Sequence, residues 1–527
     1  MQIFQTILVL LLSAALIASL ARRLQLPYPT MLAVGGALVA FLPHAPRLEI
    51  SPDLILVIFV APILMDAAFR TSLRDLWECW DHVMALVVVA VALTTFSVAV
   101  VVRHMVPEMS WSAAITLGSL LAPPDAVAAT TVLKKMPLPL RIRMVLEGES
   151  MLNDASALLV YKVAVSAAML GSPAAGKTIP LFALVVLAGA AAGVLLAWPA
   201  SWFMSRFEDV SSAVIFQFGL TFGLWLASDW LGLSPIVTVV TFAITLAQKN
   251  DYSAPAYVRL ASFAIWDSAT VVLNALAFTL IGLQLRTVID ALSPEQRVHS
   301  LLMAFVILGV VIGVRLVLQL IHYALVRLKR GPDDNGSPYS PSLGGAILVG
   351  WSGMRGIVTL AAAMALPSSF PCRDFIQLTA FVVVLGTLTI QGLTLRPLLR
   401  FIRLPSDYTV QNELALARTV AARSALAALG AEPTPAAERL RQEISEALSG
   451  SVREFIPSNS RGNVLRRQLV GVARQAIEVL RRTDKIGDDA YRKVEAELDW
   501  LELSAGVPAA EADSAAADGS LIQLRSQ

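Results

Sequence analysis

The chain has 527 residues, 56% of them hydrophobic and only 15% charged, with a mean hydropathy of +0.68. A soluble globular chain is about a quarter charged, so this composition excludes an ordinary soluble enzyme, a nucleic-acid-binding domain and a disordered chain. Forty-one Lys/Arg against 39 Asp/Glu leave a net charge of +2, and the two cysteines, Cys79 and Cys372, lie too far apart in sequence to suggest a disulfide framework or a cysteine metal site.

A helix needs about 18 or more apolar residues to cross a hydrocarbon core of ~30 Å. Candidate runs lie near 3–20, 27–43, 53–69, 83–102, 111–133, 143–169, 180–203, 211–227, 233–247, 261–285, 299–326, 343–367 and 374–398. They predict an all-α polytopic membrane protein with about 13 transmembrane helices. The first run has no positive segment before it, and Arg22 and Arg23 follow it, so it reads as a retained helix and not a signal peptide. The eighth and ninth runs are the weakest, being separated by Asp229 and by Leu231-Gly232-Leu233-Ser234-Pro235.

Thirteen crossings put the termini on opposite sides. With the N-terminus outside, the inner short loops carry fourteen Lys/Arg and the outer ones six. The positive-inside rule then predicts an outside N-terminus and a cytoplasmic C-terminal tail.

Ionisable groups at mid-membrane cost ~2.5–3.5 kcal/mol on insertion scales and often mark ion paths. The candidates here are Asp66, Asp125, Glu149, Asp154, Lys162, Asp267, Arg315 and Arg355. For any one alone, ion pairing or snorkelling toward a helix end explains it equally well. In the fifth run, Pro123-Pro124 precede Asp125. Two prolines remove two N–H donors and free carbonyls a turn earlier, and irregular backbone at that depth is tolerated where it lines a cavity. A kink explains the prolines, but an acid directly after them points to an unwound ion-binding stretch.

The sixth run holds Glu147-Gly148-Glu149-Ser150-Met151-Leu152-Asn153-Asp154. Ser150 and Asp154 are four apart and share a helix face; Glu149 and Asn153 share the adjacent one. From a start near Arg143, Asp154 lies roughly 16 Å along the helix. Carboxylate, hydroxyl and amide oxygens are hard donors that suit a small alkali cation. Lys162 lies two turns beyond and is expected to snorkel. The twelfth run carries Gly350-Trp351-Ser352-Gly353-Met354-Arg355-Gly356, whose glycines weaken a helix around a fixed cation. Runs four to six and eleven to thirteen thus correspond as two three-helix units with interrupted middle helices. The offset of seven makes them inverted repeats, an architecture of secondary transporters.

Residues 405–527 hold 15 Lys/Arg and 18 Asp/Glu, which sets a polar tail apart from the transmembrane part at 1–404. Asn412–Leu429, Ala436–Leu448, Asn463–Arg482 and Asp489–Leu503 have helical apolar spacing. The Ala- and acid-rich end, about 505–527, is expected to be disordered.

With these motifs in place, the chain resembles the monovalent cation/proton antiporter-1 family, which holds bacterial sodium/proton antiporters of the NhaP type. Glu147–Asp154 resembles that family's Glu-Gly-Glu-Ser-x-x-Asn-Asp signature, and Trp351–Gly356 its Trp-x-Gly-x-Arg-Gly signature. Ala122–Val127 is similar to its Ala-Pro-Thr-Asp-Pro-Val stretch, with Pro124 and Ala126 in place of its threonine and second proline. Pro62–Phe69 and Leu280–Leu285 match weaker patterns. The resemblance implies a 13-helix homodimer in the bacterial inner membrane that performs electroneutral Na⁺/H⁺ antiport and serves pH homeostasis, with no cofactor. It implies that Asp154 alternates between cation and proton. It also implies that Ser150 and Asp66 ligate Na⁺ with Asp154, and that Asp125, Asn153 and the Pro124 main chain assist. A buried structural ion pair would fall on Glu149 and Arg355. Asp267 and Arg315 are left structural, without a named partner.

Physically, burial disfavours a charged carboxylate and a bound cation restores it, so Asp154 would hold Na⁺ or a proton in turn and exchange them 1:1. A K⁺/H⁺ antiporter, another solute transporter or a sensor on the same fold would use the same acids. Gly350-Trp351-Ser352-Gly353 also fits an intramembrane serine protease, but no histidine is evident as a base for Ser352, and the chain is read as a non-enzyme.

Overall fold

The computed structural model describes residues 2–24, 26–42, 52–78, 80–125, 138–170, 175–249, 256–290, 292–330, 342–402, 409–430, 434–449 and 469–475, with isolated positions and short stretches between and beyond them. Every regular element among the described residues is helical. Contacts divide the chain into two compact units, Met1–Pro405 and Ser406–Gln527.

In the first unit, α1 (Gln2–Arg23) and α2 (Tyr28–Ala40) open the chain. α3 (Pro52–Ile55), a π-helical turn (Leu56–Val60) and α4 (Ala61–Arg70) form one rod. The widening has a local cause. Pro62 offers no N–H to the Ile58 carbonyl, and its ring presses on that carbonyl, so the preceding turn opens. Next come α5 (Leu73–Glu78), α6 (Trp80–Ala85), a second π-helical turn (Leu86–Ala90), α7 (Val91–Met105) and α8 (Trp111–Leu121).

The chain continues through α9 (Leu140–Leu170), α10 (Ala175–Met204), α11 (Val210–Trp230), α12 (Pro235–Lys249), α13 (Ala256–Asp290) and α14 (Pro294–Arg330). It ends with α15 (Leu343–Trp351), α16 (Ile357–Met364) and α17 (Arg373–Phe401). Six helical segments of the described residues are long and apolar enough to cross a membrane, and four shorter apolar helices accompany them. The predicted break between the eighth and ninth runs is a turn at Gly232, whose φ of +70° is the left-handed region that glycine enters without strain.

Side-chain caps fix several helix starts. Ser110 Oγ accepts the Ala113 N–H at 3.2 Å, and Ser342 Oγ accepts the Gly345 N–H at 3.0 Å. Asp209 accepts the Ser212 N–H at 2.7 Å, a bond that holds its carboxyl below the usual carboxylate range.

Helices meet closely where a side chain is missing. A Cβ on Gly36 of α2 would lie 2.4 Å from the Thr279 carbonyl oxygen, and one on Gly282 of α13 would lie 2.2 Å from that of Ala33. The glycine of the weak Leu280–Leu285 pattern is therefore a packing residue, the small-residue contact common between membrane helices.

In the second unit, α18 (Thr409–Leu429) stops at Gly430, with φ +52°. α19 (Pro435–Ser449) starts with Pro435 in its first turn and Thr434 Oγ1 accepting the Ala437 N–H at 3.2 Å. Arg441 of α19 donates to the Gly430 carbonyl at 2.9 Å, tying the two helices together. Most of the predicted helices 463–482 and 489–503, and the expected disorder at 505–527, lie outside the described residues.

Candidate cation site

The end of α8 and the break between α15 and α16 meet in the first unit. α8 ends at Leu121, and Ala122–Asp125 carry no helical turn; Ala126 and Val127 lie outside the described residues. The twelfth run is broken between α15 and α16, at Ser352–Gly356. The Asp125 N–H donates to the Met354 carbonyl at 2.7 Å, so one break is bonded to the other. Asp125 also lies against Gly356, where a Cβ would come within 1.9 Å of its Oδ2. Its carboxylate therefore sits at the N-terminus of α16, where the helix dipole favours negative charge.

Arg355 closes the crossing from the other side and is fully buried. Its Nε donates to the Leu121 carbonyl at 2.6 Å and its Nη1 to the Gly353 carbonyl at 2.7 Å; its backbone N–H donates to Thr387 Oγ1 at 3.0 Å. Leu121 carries one of the carbonyls that the end of α8 leaves without a helical partner, and a cation is the favoured cap there.

The expected Glu149–Arg355 pair is corrected. Glu149 is gripped by Arg315 of α14, with Nη1 to Oε1 at 2.6 Å and Nη2 to Oε2 at 2.8 Å. Both are buried. The reason is geometric: Arg315 lies across Gly353, where a Cβ would meet its Cδ at 2.1 Å, while the Arg355 fork is taken by the two helix-break carbonyls. Arg315, left without a partner by the sequence, is thus the structural partner of Glu149.

α9 distributes its polar cluster over two faces. Arg143, Glu147, Ser150, Met151 and Asp154 follow helical spacing and all line one cavity of about 560 Å³. Glu149 and Asn153 point elsewhere. Asn153 is fully buried and its Nδ2 donates to Glu149 Oε1 at 3.0 Å. It is not among the residues lining the cavity, and its buried Oδ1 accepts no hydrogen bond from the described residues.

The cavity gathers the other candidates. Asp66, Pro124, Asp125, Ser150 and Asp154 all line it. Asp154 is buried, and Asp125 is near enough to act on it electrostatically. Five lining residues are acidic (Asp66, Asp125, Glu147, Asp154, Asp267) and two are basic (Arg70, Arg143), so the space attracts cations. Glu147 is paired with Arg143 at 2.8 Å. Among the described residues, no three His, Cys, Asp or Glu side chains close around a metal position. Asp66, Asp125, Asp154 and the Ser150 hydroxyl thus bring hard oxygen donors to one cavity wall.

The other singled-out residues fall outside this machinery or at its edge. Lys162 is exposed on α9. Asp267 lines the cavity and pairs with Arg70, a residue the sequence offered only as a loop charge. Ser352 Oγ is buried and donates to the Leu348 carbonyl at 2.7 Å; His322 stacks on His82 with ring centroids 4.1 Å apart. That arrangement gives the protease reading no support.

Known proteins resemble the chain over most of its length. The profile of the family described as "Sodium/hydrogen exchanger, transmembrane" matches residues 8–401. An uncharacterized Na⁺/H⁺ exchanger of Mycobacterium tuberculosis is 29% identical over 96% of this chain and 97% of its own. A sodium, potassium, lithium and rubidium/H⁺ antiporter of Bacillus pumilus is 30% identical over 76% of this chain and 61% of its own. In fold, the chain is similar to the sodium proton antiporter MjNhaP1 of Methanocaldococcus jannaschii at pH 8, with a TM-score of 0.56, 18% identity, and coverage of 76% of this chain and 99% of that one.

Proposed function

Because the chain belongs to the sodium/hydrogen exchanger family, we propose that it exchanges Na⁺, and Li⁺ with it, for H⁺ by an electroneutral alternating-access cycle. It is a multi-pass membrane protein of transporter and not enzyme type. The observation that carries the reading is that Asp154, Asp125, Ser150 and Asp66 line a common cavity.

In this cycle Asp154 is the group that exchanges cargo. Buried, its charged form is disfavoured; a cation or a proton relieves that cost, and the two exclude one another. Ser150 on the same helix face and Asp66 on α4 supply the further oxygens, with the Pro124 carbonyl and Asp125 beside them. Hard oxygen donors suit an unhydrated alkali cation. Glu149 is paired with Arg315 and does not line the cavity, and a single acid exchanging its proton for one cation gives a 1:1 count. The two broken helices belong to inverted repeats, and the working form is a homodimer in the bacterial inner membrane, with an outside N-terminus, a cytoplasmic tail and a role in pH homeostasis.

The name of the Bacillus pumilus relative favours a second reading, in which K⁺ and Rb⁺ are also carried. One experiment tests both. Proteoliposomes receive Na⁺, Li⁺ or K⁺ while internal pH is followed, with valinomycin and K⁺ clamping the voltage in the Na⁺ and Li⁺ runs. Wild type is expected to move protons, Asp154→Asn to be silent and Asp154→Glu to retain part of the rate. Wild-type exchange by Asp154→Asn would overturn the assignment, and the ion series names the cargo.

A further inference from the structure

One cation is already seated at the cavity. Arg70, the last residue of α4, donates from Nε to Asp66 Oδ1 at 2.8 Å and from Nη2 to Asp267 Oδ1 at 2.7 Å. Asp66 is four residues back on the same helix, whereas Asp267 belongs to α13. All three line the cavity. The guanidinium also lies 5.9 Å from the Phe263 ring centre, a second anchor on α13. Side-chain exposure rises from 19% at Asp66 through 41% at Arg70 to 61% at Asp267, so the bridge runs from the interior toward the mouth.

We infer that Arg70 is a built-in competitor of the transported cation, sharing the Asp66 carboxylate with it, and that Asp267 is the carboxylate that holds Arg70 aside when the ion takes Asp66. The inference rests on the reading of Asp66 as an ion ligand. Pairs this exposed are weak, so an incoming cation can displace Arg70 from Asp66. Two anchors on α13 mean that the guanidinium need not leave the cavity wall when this happens. Arg70 then sets how much cation is needed, without touching the proton at Asp154.

The test is the Na⁺ dependence of proton movement in proteoliposomes at constant ionic strength. Arg70→Gln is expected to lower the half-saturating Na⁺ concentration by about two- to fivefold, with maximal rate little changed. Asp267→Asn is expected to raise it by a similar factor, because Arg70 then keeps only Asp66. Arg70→Lys, which keeps the charge but loses the fork, should fall between wild type and Arg70→Gln.

The double variant Arg70→Gln/Asp267→Asn decides the matter. Competition predicts that it matches Arg70→Gln, since Asp267 matters only while Arg70 is present. A return of the double variant to the wild-type value would mean that the two charges act only through their field at the mouth, and would overturn the proposal. Changes in maximal rate alone would also overturn it. Asp154→Asn in the same series separates the two claims: wild-type exchange there defeats the transport reading itself. A silent Asp154→Asn beside the wrong Arg70 pattern defeats only the competitor. Wild type silent with Na⁺, Li⁺ and K⁺ defeats both.

Discussion

The two helix breaks reach the same place by opposite chemistry. After α8, prolines remove N–H donors, and the break leaves a carbonyl, that of Leu121, and an acid, Asp125. Between α15 and α16, glycines remove side chains, and the break leaves empty space and a base, Arg355. Each makes good what the other lacks. Arg355 caps Leu121, and Asp125 fills the space over Gly356. A proline break thus creates unmet acceptors and a glycine break creates room. A crossing built from one of each closes with complementary charges, whereas two breaks of one kind would not.

The largest effect on that comparison should come from Arg355→Met. It leaves the buried Leu121 and Gly353 carbonyls without their donor, and unmet buried acceptors cost about 1–3 kcal/mol each. Thermal unfolding in detergent should show a loss of about 2–6 kcal/mol; an unchanged midpoint would mean that the cap is dispensable. Gly356→Ala comes next. Its Cβ would overlap Asp125 Oδ2, overpacking typically costs about 1–3 kcal/mol, and cation-driven proton movement should drop with it. Gly309→Ala is the control, since a Cβ there meets nothing within 4 Å; equal behaviour of the two would remove the glycine half of the comparison. The smallest effect concerns what the breaks share. α8 and α15 both begin with a serine cap, so Ser110→Ala and Ser342→Ala should each lower stability by about 1 kcal/mol. Unequal losses in parallel melts would show that one half-helix is held mainly by its packing.

Much of this was legible in the sequence where a residue violates its surroundings. Asp66, Asp125 and Asp154 stood out as acids in apolar runs, and the Pro-Pro and Gly-rich stretches marked the breaks. Spacing also separated the faces of Ser150/Asp154 and Glu149/Asn153. Pairing across helices was not legible. Arg315 and Arg355 are both arginines in apolar runs, and depth along a helix does not say which neighbour it touches. The break carbonyls that occupy Arg355 exist only once the chain has folded. Arg70 was missed for another reason: at the end of a run, an arginine looks like an ordinary flank. Its one available signal was the four-residue spacing from Asp66.

The contact of α2 with α13 has a mechanical consequence. Gly36 and Gly282 let backbone touch backbone, with no side chains between to act as a yielding layer. A slide of one residue, about 1.5 Å, would drive a neighbouring Cβ into a carbonyl that leaves it no room. The two helices form a keyed joint, able to tilt together but not to shear. Movement that opens the cavity must therefore fall on faces separated by longer, softer side chains. The α4–α13 face is one of these, and Arg70 spans it, rooted on α4 and held by Asp267 and Phe263 on α13.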